Sequence, residues 1–177
     1  MYLPGMYSLH ELATRDDTPR HDHVVHLDGT WEDYLRILKM RGERSAPRIA
    51  YLEGVIEILS PSRDHESIKS RIGRLVEVYC DVYGLTFNAY GSWTLKEKKQ
   101  DRGVEPDECY VFGTADRDRP HLAIEVVWTS GILDKLEIYR KLRVDEVWVW
   151  ERGRIEAYVL RGERYRPSRR SKMNSRR

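Results

Sequence analysis

Glu125 stands in the run L-A-I-E-V-V-W, where all of its neighbours are apolar. A carboxylate among such residues is costly unless a cation or hydrogen-bond donors compensate it. Two more acids have strand-like neighbours. Glu57 falls between Ile56 and Ile58, and Asp107 follows Pro106 just before E-C-Y-V-F. Asp134-Lys135 opens a helical pattern soon after the Glu125 run, with Tyr139 one turn further along the same face. His65 and Glu66 stand in the first turn of a longer helical pattern. Oxygen donors in a cysteine-free cluster suit Mg2+ or Mn2+ rather than Zn2+. Two carboxylates on adjacent strands can share one such ion, which orients and acidifies water and stabilises charge on a phosphoryl oxygen. A lysine folding back over the strand end, here Lys135, then positions the water or neutralises the phosphate. His65 is placed to tune a carboxylate or to touch substrate.

Each residue has a plainer reading as well. Asp107 after Pro106 fits a turn or bulge. Glu125 fits a buried ion pair with Arg140 or Lys141, and Lys135 a solvated helix lysine. What favours a site is the set: strand acid, strand acid, then lysine, feeding neighbouring ends of one sheet.

The elements that must position these residues follow from pattern. T-W-E-D at 30–33 is a helix start, and Trp31, Tyr34, Leu35 and Leu38 share a face before Arg41-Gly42 ends the helix. R-I-A-Y-L-E-G-V-I-E-I-L at 48–59 predicts a hairpin turning at Glu53-Gly54. Residues 64–83 predict the longest helix, with Ile68, Ile72, Leu75, Val76 and Tyr79 as its stripe, Asp64 or Ser62 as cap and Gly84 as stop. Strand patterns follow at 85–95, 105–112 and 121–128, with charged K-E-K-K-Q-D-R at 96–102 read as a loop. A helix over 133–142 and a strand pair over 146–160 turning at Arg152-Gly153 complete the order. This is a mixed α/β domain whose central strand, 122–127, is apolar on both faces and so sandwiched.

Composition sets the frame. The 177 residues suffice for one domain, and 34% of them are charged. Residues 161–177 carry eight Lys or Arg and one Glu, a balance of +7, which leaves −5 on the rest of the +2 chain. A basic tail on an acidic body suits a phosphate-bearing partner, or simply solubilises the end. Cys80 and Cys109 form neither a disulfide framework nor a zinc site, no signal-peptide or membrane-spanning pattern is present, and a reducing cytoplasm is the expected setting. Residues 1–28, with His21, His23 and His26, lack periodicity and read as a poorly ordered leader. The expected layout is leader 1–28, domain 29–165 and basic tail 166–177.

G-V-E-P-D-E-C-Y-V-F, L-A-I-E-V-V-W-T-S and D-K-L-E-I-Y-R-K-L-R-V-D-E-V-W-V-W, with R-I-A-Y-L-E-G-V-I-E-I-L-S-P-S-x-x-H-E upstream, resemble the Uma family of restriction-endonuclease-like proteins in the PD-(D/E)XK nuclease superfamily. The likeness runs from 30 to 165. It implies a restriction-endonuclease-like mixed central sheet flanked by helices. It also implies Mg2+- or Mn2+-dependent hydrolysis of DNA phosphodiester bonds, with Asp107 and Glu125 as metal ligands. Glu57 and His65 match recurrent positions of the family pattern. The superfamily lysine belongs two residues after the second acid, where this chain has Val127, and the resemblance implies its migration to Lys135.

Three expectations follow. The first is a DNA endonuclease whose loop Lys96, Lys98, Lys99 and Arg102, with the tail, grip the backbone. The second is an inactive nuclease fold that binds nucleic acid or protein. The third is a homodimer formed through Trp148 and Trp150, which point to one side of a strand.

Overall fold

Alternating side chains give each sheet of this protein one face for a helix and one for the other sheet. The computed structural model describes residues 21–114, 116–128 and 133–173. In chain order the elements are β1 (His23–Asp28), α1 (Trp31–Arg41), β2 (Arg48–Leu52), β3 (Val55–Ser60), α2 (Arg63–Tyr83) and β4 (Phe87–Ala89). Then come β5 (Leu95–Glu97), β6 (Arg102–Val104), β7 (Glu108–Phe112), β8 (Leu122–Val127), α3 (Lys135–Lys141), β9 (Glu146–Glu151), β10 (Arg154–Arg161) and β11 (Arg164–Ser168).

The strands form an antiparallel sheet ordered β1-β3-β2-β6-β5 and a mixed sheet ordered β11-β10-β9-β8-β7-β4. In the mixed sheet β8 and β9 are parallel, joined by α3. Ile49 and Tyr51 of β2 pack with Trp31 and Tyr34 of α1, whereas Ala50 faces the other way, into a cluster with Ala123, Ile138, Tyr139 and Val147. Leu122, Ile124 and Val126 of β8 pack under Ile72, Val76 and Cys80 of α2. The two sheets therefore meet through the faces that carry Ala50 and Ala123. Glu57 lies on the first of these faces, directly across from Ala50, and Glu125 on the second, two residues from Ala123.

Caps follow the sequence. Thr30 and Asp33 form a reciprocal capping box, Ser62 caps α2 by accepting from the His65 amide, and Asp134 caps α3. The hairpin turns at Glu53-Gly54 and Arg152-Gly153 have positive φ at both positions, as a two-residue turn with the right twist requires.

Several expectations change. The leader does not run to Asp28: His23–Asp28 is a strand paired along its length with β3, and residues 1–20 lie outside the described residues. The 96–102 loop is largely the β5–β6 hairpin, closed by a 3-10 turn at Lys98–Gln100. Of 85–95 only Phe87–Ala89 and the terminal Leu95 are strand. The tail is not separate from the domain, since β11 includes residues 166–168, and Ser171 and the Lys172 amide bond the buried Glu146 carboxylate. Trp148 and Trp150 pack, partly buried, against the α2 core, and Trp150 stacks on Trp128 at 5.7 Å. The charge of Arg102 is taken up by Glu53 at 2.7 Å and Glu137 at 3.3 Å, which removes it from a phosphate-gripping set. Lys98 is paired with Glu32.

Gly103 of β6 is needed where Tyr34 crosses it. A Cβ there would fall 2.7 Å from Tyr34 Cε1 and overlap the ring still more closely at the hydroxyl. Gly103→Ala should cost about 2 kcal/mol in urea unfolding, the usual penalty for overpacking a core, with an unchanged m-value.

Candidate active site

The loop into β7 sets Asp107. Glu105, itself buried, accepts from the Ile49 amide at 3.0 Å and pairs with Arg41, which pins the segment before Pro106 to β2 and α1. The Asp107 amide donates to the Ile124 carbonyl at 3.1 Å. Its Oδ2 accepts from the Val126 amide at 2.6 Å, taking the place of a backbone partner as β7 leaves the ladder. The register pairs Glu108 with Ile124. Asp107 stands just outside that ladder, close enough to Glu125 and Lys135 for the charges to act on one another.

Glu125 is almost fully buried in the centre of β8. Its Oε2 accepts from Lys135 Nζ at 2.8 Å, and its Oε1 from the Tyr139 hydroxyl. Lys135 and Tyr139 share one face of α3, so one short helix supplies both partners. Lys135 Nζ also stands 3.6 Å from Glu57 Oε1. Glu125 therefore pairs with the first residue of α3 rather than with Arg140, whose guanidinium goes to Glu137. Lys135 is no solvated lysine, with 21% of its side chain exposed.

A second group of cations holds Asp107. Arg48 Nε stands 3.2 Å and His65 Nε2 3.0 Å from Asp107 Oδ1. Arg48 continues to Glu66 at 2.8 Å, and Glu66 to Lys69. His65 is wholly buried, behind Asp107 rather than open to substrate, and its Nδ1 lies 2.9 Å from Asp22 Oδ2. Glu57 has a further neighbour in His26, at 3.0 Å.

The charges respond unequally. Burial raises Glu125 above the usual carboxylate range, Lys135 offsets part of this, and Asp107 adds to it. Burial pushes Asp107 up as well, but His65 and Arg48 outweigh that and hold it below the usual range. Burial opposes the His65 charge, yet Asp107 and Asp22 raise its pKa to about 9. Lys135 is raised because Glu125, Asp107 and Glu57 together exceed its own desolvation. Two interacting acids with pKa values driven apart are the arrangement that acid-base and metal sites use.

Among the described residues no group of three or more His, Cys, Asp or Glu is set to hold a metal ion. Mg2+ commonly takes only one or two carboxylates, with water and substrate phosphate completing its shell. Asp107 and Glu125 fit that pattern. Asp107 Oδ1 is buried with no well-aligned hydrogen bond. Each Glu125 oxygen accepts from one side-chain donor, and an ionised carboxylate has about four lone-pair sites. Glu57, Glu125 and Lys135 line one cavity together with Asp22, Val24, Val127 and Asp134.

A family model for Uma2, described as "Putative restriction endonuclease", matches residues 31–176. The chain belongs to the Uma2 family. Its α/β architecture with two sheets accords with a restriction-endonuclease-like fold, and the Uma2 description supports a nuclease-like function. No curated protein and no solved structure matches the chain. The Uma2 region extends past 165 into the basic end and starts after β1. No described helix is long and apolar enough to cross a membrane.

Sequence reasoning missed Arg48, Asp22 and His26. Arg48 left a signal, a lone cation heading the apolar strand R-I-A-Y-L. Asp22 left none, since it stands between His21 and His23, and His26 in V-V-H-L shows nothing that points to Glu57.

Removing the ammonium tests the pairing. Lys135→Met should destabilise the fold by about 3 kcal/mol, as for one partner lost from a buried ion pair. Lys135→Met with Glu125→Gln should recover part of that loss, since the Glu125 charge is then no longer stranded while Glu57 keeps only His26. Urea unfolding of the four proteins in the double-mutant cycle measures the coupling.

Proposed function

We propose that this chain is a Mg2+- or Mn2+-dependent endodeoxyribonuclease, with Asp107 and Glu125 as the ion's protein ligands and Lys135 as the catalytic cation. The observation that carries the reading is the Lys135 ammonium. It stands between Glu125 and Glu57 and lines a cavity with both, while Asp107 is buried outside that lining. Val127 lines the same cavity. A lysine two residues after Glu125 would thus reach the same space, and Lys135 reaches it from α3 instead. When bound, the ion supplies Lewis-acid stabilisation of the phosphoryl oxygens and a more acidic water.

The chain's own groups do the rest. Lys135 donates to a non-bridging phosphate oxygen or to the attacking water. Glu57 keeps that ammonium within reach, and Tyr139 fixes the Glu125 rotamer. Arg48 and His65 hold Asp107 ionised in a dry setting. Exposed Lys96 and Lys99, with the arginines of the basic end, supply sequence-independent contacts to the DNA backbone. A second copy would supply a second site for the other strand of a duplex.

One observation favours a second reading, an inactive binding module. Asp107 and Glu125 already have cationic side chains within ion-pair distance, so the site is compensated without an ion.

Supercoiled plasmid separates the two. Nicking should require Mg2+ or Mn2+, stop with chelator, and vanish in Asp107→Ala and in Glu125→Ala. Lys135→Ala should slow it on the order of 10²–10³-fold, as for loss of one charge-stabilising donor. Unchanged cleavage in the Asp107→Ala/Glu125→Ala double variant would overturn the proposal. No cleavage and no Mn2+ uptake at millimolar ion, with DNA affinity retained, would favour the module.

A further inference from the structure

We infer that β1 and the residue before it are a working part of the site: Asp22 and His26, which precede the Uma2 region, are positioning residues, Asp22 acting on Asp107 through His65 and His26 acting on Glu57. The inference rests on the reading of Asp107 as a metal ligand.

The Asp22 side chain is 2% exposed. One of its oxygens accepts from the Ser62 amide at 2.8 Å, at the cap of α2, and the other lies 2.9 Å from His65 Nδ1. The opposite ring nitrogen stands 3.0 Å from Asp107 Oδ1. The hydrogen bond to Asp22 holds the ring at Nδ1, and the ring so held sets Nε2 at ion-pair distance from the Asp107 oxygen. Partners of this kind set the direction of a ligating group, and losing one commonly costs 10–100-fold in metal affinity or activity.

His26 does the equivalent for the lysine. Its Nε2 is 3.0 Å from Glu57 Oε2, and the other Glu57 oxygen is 3.6 Å from Lys135 Nζ. Two residues of this segment, Asp22 and Val24, also line the cavity that contains Glu57, Glu125 and Lys135. β1 is an edge strand held to β3 by six register pairs, from His23–Ser60 to Asp28–Val55. Without this edge His65 would keep Asp107 as its only carboxylate neighbour of the two.

The test uses the full chain and four variants: Asp22→Asn, His26→Ala, His26→Gln and, for reference, Asp107→Ala. Thermal unfolding and far-UV circular dichroism establish that each is folded. Mn2+ titration calorimetry without DNA should show a Kd weakened 10–100-fold in Asp22→Asn. In metal-free protein the nitrogen-15 signals of the His65 ring should move in that variant. His26→Ala should lower kcat for plasmid nicking with little change in Mn2+ Kd, and His26→Gln, which keeps a donor in reach of Glu57, should restore it. Wild-type Mn2+ affinity and unshifted His65 ring signals in a folded Asp22→Asn protein would overturn the Asp22 assignment. Equal kcat in wild type and His26→Ala would overturn the His26 assignment. If Asp22→Asn does not fold, the same Mn2+ titration and His65 ring signals in Asp22→Ser decide the Asp22 assignment. Should the wild type bind no Mn2+, the proposed nuclease function fails, while the metal-free ring signals still report whether Asp22 orients His65.

Discussion

The ammonium of Lys135 lies between Glu125 in the mixed sheet and Glu57 in the antiparallel sheet. Both acids are buried, on faces that turn toward each other. Without that cation the faces would present two carboxylates in a poorly hydrated space, where each disfavours ionisation of the other. The short crossover between parallel β8 and β9 determines where the cation comes from. α3 starts at Lys135, close to the end of β8, and a lysine there folds back over the strand while Tyr139, one turn on, reaches the second oxygen of the same acid.

Asp107 is held by a different set of partners. His65 and Arg48 approach from α2 and β2, so its charge is fixed mainly by elements other than α3. The outcome is an asymmetric pair, with the Asp107 pKa pulled below the ordinary carboxylate range and that of Glu125 pushed above it. From the sequence, a divalent ion is the expected compensation, with an ion pair to Arg140 or Lys141 as the plainer reading of Glu125; the side chain that pairs with Glu125 is Lys135. Lys135, Arg48 and His65 supply much of the positive charge, which leaves an ion to complete the balance rather than to provide all of it.

Glu125, Glu57 and Lys135, which the structure brings together, each stand out in the sequence. Glu125 interrupts an apolar strand, Glu57 sits between isoleucines, and Lys135 follows an Asp cap. α1, α2 and the two hairpin turns were legible from caps and from glycine after a turn residue. What stayed hidden depended on pairing across the chain. β1, H-V-V-H-L-D, is short and shows no strict alternation, and it is paired along its length with the edge that β3 offers. The charged run at 96–102 reads as solvated, yet its ends pair to form β5 and β6. Arg102 within it is buried by Glu53 and Glu137, which lie far away in sequence. Asp22 gives no local sign of burial, since its partners Ser62 and His65 are some forty residues distant.

The most direct test is crystallographic. Crystals of the full chain grown with Mn2+ and measured at the manganese absorption edge should show an anomalous peak between the carboxylates of Asp107 and Glu125, with the Lys135 ammonium close beside it. A map with no manganese at that position, and with Lys135 still joined to Glu125 and Arg48 to Asp107 as they are here, would contradict the account.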